Sequence, residues 1–170
     1  MQNLTGEELL TKRRSVRDFK NEDVPEKTLE QIFEICRYAP TSMNSQSYYF
    51  RIIKDKEILE WLSPLRGKSS SPIGRAPMAV AICSNPDKSK RHEQDGCIAA
   101  YHFILACCNF GIGTCWIAAM NREDVKEMLG IPENHYIATI TPVGYPAKLF
   151  IEAPKREGLV YYIRKDPKCP

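Results

Sequence analysis

The sequence predicts an α+β domain, and three observations carry that reading. Helix-like and strand-like segments are mixed without the strict strand–helix–strand order of a parallel sheet. No Gly-x-Gly-x-x-Gly opens a helix after a strand, so a Rossmann arrangement is excluded; Gly111-x-Gly113 follows a helix and reads as a turn. The 170 residues suit a single domain, 1–170, with a sizeable core.

Thr5-Gly6-Glu7-Glu8 is a capping box that opens a short helix ending near Lys12. Pro25 lies in the first turn of a second helix. There Leu29, Ile32, Phe33 and Cys36 form an i, i+3, i+4, i+7 stripe, and Pro40 stops the helix. Residues 48–53, aromatic and β-branched, read as a strand, followed by a short helix near 56–62. Residues 63–77, rich in Pro, Gly and Ser, read as a mobile loop and a candidate lid. The apolar run 78–83 reads as a buried strand. From Asp95 to Phe110 runs a helix apolar nearly all round, with Asp95 as N-cap and Gly111 at C′. Such a helix is central or lies in a subunit interface. Residues 114–117 read as a short strand. Asn121 is expected to cap a helix over 122–129 that Gly130 closes, and 137–144 read as a strand with a turn. The tail from Tyr145 still holds Leu159, Val160, Tyr161, Tyr162 and Ile163, and a partner subunit is a candidate to bury them.

The net charge of +3 is too small to imply nucleic acid binding. The charge is nevertheless local: residues 12–20 hold five cations against Asp18 alone, which points to one anionic ligand. The sequence contains no run of about 18 apolar residues, so no membrane span is expected. The first residues lack the pattern of a signal peptide, so the expected location is cytoplasmic. Seven cysteines occur in no Cys-x-x-Cys pair, and the three histidines complete no zinc spacing, so no metal is expected. The thiols read as buried and reduced. His102, on an apolar helix, reads as a packing histidine rather than a catalyst.

Two segments carry the chemistry. Lys12-Arg13-Arg14-Ser15-Val16-Arg17 joins guanidinium groups, which bind phosphate bidentately and stay charged, to a hydroxyl donor. A solvated basic helix end is the other reading of that cluster. Ala39-Pro40-Thr41-Ser42-Met43-Asn44-Ser45-Gln46 is a polar loop suited to the heteroatom edge of a flat ligand, or else a turn bonded to itself. Together they suggest a phosphorylated heteroaromatic cofactor.

These segments, with Gly111-Ile112-Gly113-Thr114-Cys115-Trp116-Ile117 and Gly144-Tyr145-Pro146-Ala147-Lys148, occur in the order and spacing of the nitroreductase family, which the chain resembles in its short form. The resemblance runs from Arg13 to about Arg156. It implies a mainly antiparallel central sheet flanked by helices, in an intertwined homodimer, with the tail from about 147 to 170 wrapping the partner. It implies FMN as cofactor and NADH or NADPH as electron donor. Arg13, Ser15 and Arg17 would contact the phosphate and ribityl chain, Arg14 would lie near the flavin edge, and Arg156 would approach the phosphate. Pro40, Thr41, Ser42, Asn44 and Gln46 would cover the flavin of the other subunit. Trp116, Ile117, Ala118 and Ala119 would run beside the ring. Two departures stand out: Ser47-Tyr48 where the family often has Pro-Trp, and Ala118-Ala119 where many relatives have a glycine.

The implied activity is ping-pong hydride transfer from NAD(P)H through flavin to nitroaromatic, quinone or similar electron-poor acceptors, with no side-chain acid or base required. The alternatives are a flavin-binding sensor or reservoir without reductase activity, and a reductive dehalogenase-like enzyme covered by 63–77. An interaction domain whose basic cluster binds an anionic partner is a further alternative.

Overall fold

A computed structural model describes residues 4–148 and 156–158. The elements are α1 (Gly6–Lys12), α2 (Glu26–Cys36), β1 (Tyr48–Ile53), α3 (Lys56–Leu62), β2 (Met78–Ser84), α4 (His92–Asn109), β3 (Gly113–Thr114), α5 (Glu123–Leu129) and β4 (Tyr136–Gly144). The four strands pair antiparallel in the order β1-β2-β4-β3, so the fold is α+β as expected.

The period-2 alternation of β2 divides the core into two layers. Met78, Val80 and Ile82 face α2 and α4, whereas Ala79, Ala81 and Cys83 face α3 and α5. The α2 stripe behaves as its spacing predicts, with Leu29, Ile32 and Cys36 buried. Phe33, Phe50 and Phe103 join α2, β1 and α4, with centroids 5.2–5.7 Å apart. The capping box of α1 forms, and Gly130 closes α5 at φ 61°.

Several expectations need correction. α2 ends at Cys36, not at Pro40; tight turns follow, with the Tyr38 and Ala39 amides donating to the Ile35 and Cys36 carbonyls. α4 begins at His92, so Asp95 lies inside its first turn and is not the N-cap. Asn121 does not cap α5; its Oδ1 accepts from the Ile137 amide, tying that loop to β4. Segment 63–77 is anchored at Ser70 and Ile73, while residues 66–69 stay exposed. Ser70 Oγ donates to the Ser63 carbonyl at 2.7 Å and accepts from the Arg66 amide at 2.7 Å, and the Ile73 side chain is fully buried. Its composition forbids a long helix or strand but says nothing about burial. The six cysteines from Cys36 to Cys115 are free thiols; Cys169 lies outside the described residues, as does the tail segment 159–163.

Candidate functional site

The basic segment leaves α1 as an extended strand and pairs beside β3. Ser15 bridges Thr114 in parallel, and the Val16 amide donates to the Thr114 carbonyl at 2.8 Å. Glycine is required at two family-motif positions here. A Cβ on Gly113 would stand 2.8 Å from Val16, and one on Gly144 would stand 2.7 Å from Pro77. Both distances are closer than real Cβ contacts allow, so these glycines let the basic strand and the segment before β2 lie flat on the sheet edge.

Arg75, which sequence reasoning passed over, fixes the end of this strand. Its guanidinium donates to the Arg17 carbonyl through Nε at 3.2 Å and Nη2 at 3.1 Å, and approaches Asp18 at 3.3 Å. Arg14 Nη1 donates to the Thr11 and Arg13 carbonyls, while its buried Nε has no partner among the described residues. Among those residues Arg13, Arg14 and Arg17 form no ion pair. Burial pushes the Cys108 thiol up, and the charges of Arg13 and Arg14 act against that push, so both guanidinium groups lie near the C-terminal end of α4. Three cations without counter-charges among the described residues, one with an orphaned buried N–H there, suit a phosphate. Arg156 is exposed.

Beyond β3 the chain runs along β4 without backbone pairing. The expected strand over 114–117 therefore stops at Thr114, next to Val143 and just short of Pro142, which has no N–H to donate. Thr141 Oγ1 takes over: it accepts from the Cys115 amide at 3.2 Å and donates to the Cys115 carbonyl at 2.8 Å. Thr139 Oγ1 does the same for Ile117, at 3.1 and 3.0 Å. Cys115 and Ile117 are buried, while Trp116, Ala118 and Ala119 are exposed. The Trp116, Ala118 and Ala119 amides have no hydrogen-bond partner among the described residues. Ala119 sits at φ 57°, a left-handed conformation that an alanine adopts at a cost of about 1–2 kcal/mol.

The polar loop lies elsewhere. Asp95, only 2% exposed, accepts from the Ser42 amide at 2.8 Å, Ser47 Oγ at 2.9 Å and Ser45 Oγ at 3.1 Å. Burial opposes its ionisation, but the Ser42 amide and the hydroxyls of Ser47, Ser89 and Ser45 outweigh it and hold the carboxyl below its ordinary range. This one carboxylate anchors a loop in which Met43, Asn44 and Gln46 all have positive φ, at 52°, 55° and 48°. Inside the loop Thr41 Oγ1 accepts from the Gln46 amide, whereas the Asn44 side chain makes no bond among the described residues and is exposed. The self-bonded turn is thus built by Thr41 and Asp95, which leaves Asn44 available. Pro40 is exposed; Thr41 and Ser42 are half-buried. Tyr48, where the family often has Trp, donates its hydroxyl to the Cys36 carbonyl at 2.8 Å, giving the end of α2 a partner.

The basic strand and the open peptide edge are neighbours in the chain's fold, but the polar loop is not near them. Asp95 marks the loop's end of α4 and Cys108 the arginines' end. At about 1.5 Å per residue these are roughly 20 Å apart along the helix.

A model of the family described as "Nitroreductase family" matches residues 10–72 and 65–145. A provisionally named NADH dehydrogenase/NAD(P)H nitroreductase of Archaeoglobus fulgidus is 30% identical over 154 residues, covering 85% of this chain and 88% of its own length. An iodotyrosine deiodinase of Thermotoga neapolitana is 25% identical over 180 residues, covering 91% of this chain and 96% of its own. Among solved structures, an FMN-dependent nitroreductase from Clostridium difficile R20291 superposes with a TM-score of 0.77 at 28% identity, covering 86% of this chain and 90% of that one.

Proposed function

This chain belongs to the nitroreductase family, and on that premise we propose that it is an FMN-dependent oxidoreductase taking electrons from NADH or NADPH. Its acceptors are nitroaromatics, quinones or similar electron-poor molecules. The observation that carries the reading is the joining, through the Ser15–Thr114 bridge, of an arginine strand to an edge of peptide amides, neither of them neutralised or partnered among the described residues. That donor set fits a phosphate at one end and a heteroaromatic ring at the other.

Arg13, Ser15 and Arg17 hold the phosphate and ribityl chain, with Arg156 approaching from the tail and Arg14 near the flavin edge. The segment Trp116–Ala119 lies along the ring. Bound FMN supplies hydride acceptance at N5 and onward delivery of electrons. The protein's part is to bind, orient and shield, so no side-chain acid or base is needed. Pro40, Thr41, Ser42, Asn44 and Gln46 complete the site from a second protomer, because their own loop stands at the far end of α4. Exposed apolar side chains support a homodimer. Leu10, Ile35, Tyr38, Ile98 and Tyr101 are 36–78% exposed, and Ile98 and Tyr101 continue the apolar surface of α4 outward. The tail from about 147 wraps the partner in this reading.

A second reading, reductive dehalogenation of an iodinated phenol, is favoured by the likeness to the Thermotoga neapolitana deiodinase. The anchoring of 63–77 at Ser70 and Ile73 leaves only a short exposed stretch, 66–69, to cover such a substrate, so we rank it second. The test is an anaerobic absorbance spectrum of the protein supplied with FMN, before and after adding NADH or NADPH. Bleaching of a bound-flavin spectrum supports the reductase. A bound flavin that stays oxidised argues for a sensor or another donor, and the absence of bound flavin overturns the proposal.

A further inference from the structure

The hydroxyls of Thr139 and Thr141 each make the two hydrogen bonds that a strand residue would make, and they make them to alternate residues of the neighbouring segment. Both threonines are fully buried, at 0% exposure. In an ordinary ladder the backbone of β4 would fill this role. With side chains in its place, Cys115 and Ile117 turn both their peptide groups inward, while the groups of Trp116 and Ala118 turn the other way. The segment ends in Ala119 at φ 57°, a conformation that needs support from its surroundings.

We propose that Thr139 and Thr141 are positioning residues, a hydroxyl clamp that fixes the Cys115–Ala119 peptide edge so that its outward amides donate to the flavin. The inference rests on the FMN reading above. A strand paired by its backbone would be set in the plane of the sheet. The clamp instead inserts a side chain's length between β4 and the segment. Donors fixed before the ligand arrives need no reorganisation when charge develops on it. Thr139 and Thr141 touch no ligand themselves. They act through the amides of Trp116, Ala118 and Ala119.

The test begins with wild-type protein, by amide hydrogen exchange before and after FMN is supplied. Cys115 and Ile117 amides should be protected in both states, and Trp116, Ala118 and Ala119 amides should gain protection only with FMN. Equal exchange of all five without FMN, or no change at the outward three on binding, overturns the inference. Thr139→Val and Thr141→Val should each weaken FMN binding by about tenfold, the equivalent of roughly one net hydrogen bond. Each should also shift the midpoint potential of the bound flavin to more negative values, since donors to the reduced form are displaced. Thr139→Ser and Thr141→Ser, which keep the hydroxyl, should restore both. Valine variants that keep the wild-type affinity and potential refute the clamp. If a valine variant does not fold, the serine variant and the wild-type exchange pattern decide. A wild-type protein that binds no FMN would instead refute the functional reading, and the two failures are therefore distinct.

Discussion

Replacing Asp95 by Ala should loosen the loop 41–47 and strip flavin from the protein together. The carboxylate accepts three hydrogen bonds from Ser42, Ser45 and Ser47. Bonds to a charged acceptor contribute about 1.5–3 kcal/mol each, or roughly 5–9 in all. Against this stands the left-handed backbone of Met43, Asn44 and Gln46, which costs roughly 3–6 kcal/mol and is released once the anchor is gone. Mid-range against mid-range, the difference leaves a net loss of about 2–3 kcal/mol, which in a domain of this size lowers Tm by roughly 4–12 °C. The assay is thermal melting with amide exchange read over 41–47. Faster exchange should be concentrated in that loop. The folded carboxyl is held below its unfolded value, so its contribution is full above the ordinary carboxylate pKa near 4 and is lost as pH falls through the folded value. The gap in Tm between wild type and Asp95→Asn should therefore be constant at neutral pH and close below about pH 4. An Asp95→Ala protein that melts with the wild type and exchanges at the same rate over 41–47 would refute the anchor.

Replacing Arg13 and Arg17 together by Ala should weaken FMN binding by about 3–6 kcal/mol, from two charge-assisted contacts; unchanged flavin retention would remove them from the phosphate site. Gly113→Ala should destabilise the fold by about 1–3 kcal/mol through overpacking on Val16, and Val16→Ala in the same chain should recover most of the loss in a denaturant titration. Deleting residues 147–170 should shift the sedimentation of the dimer toward the monomer, and an intact dimer would mean that the tail does not clasp a partner.

Local patterns carried much of the fold. The α2 stripe, the capping box at Thr5 and the closing glycine of α5 depend on neighbours within one or two turns, and each lies where its pattern put it. The candidate site was read from four motifs, yet the packing reasons for some motif residues were not legible. Gly113 and Gly144 make room for Val16 and Pro77, which are distant in sequence. Asp95 carried a local signal, an acidic residue near a helix start, that pointed to a cap. Its true partners lie about fifty residues away in a loop, and local chemistry cannot reveal them. Thr139 and Thr141 had a readable trace: two hydroxyls alternating in an otherwise aliphatic strand must be satisfied when buried. Arg75 had none, since its acceptor is a backbone carbonyl in another segment.

In the proposed dimer, one flavin site draws its arginines from one protomer and its covering loop from the other. Mixed dimers test it directly. A protomer carrying Arg13→Ala and Arg17→Ala is paired with one carrying Asp95→Ala, each with its own affinity tag, and bound flavin is measured on dimers purified through both tags. Each parent dimer should lose its flavin. In the mixed dimer the intact arginines of one chain meet the intact loop of the other, so one of the two sites should bind flavin again. Mixed dimers as empty as both parents would contradict the claim and return the loop to its own protomer's site.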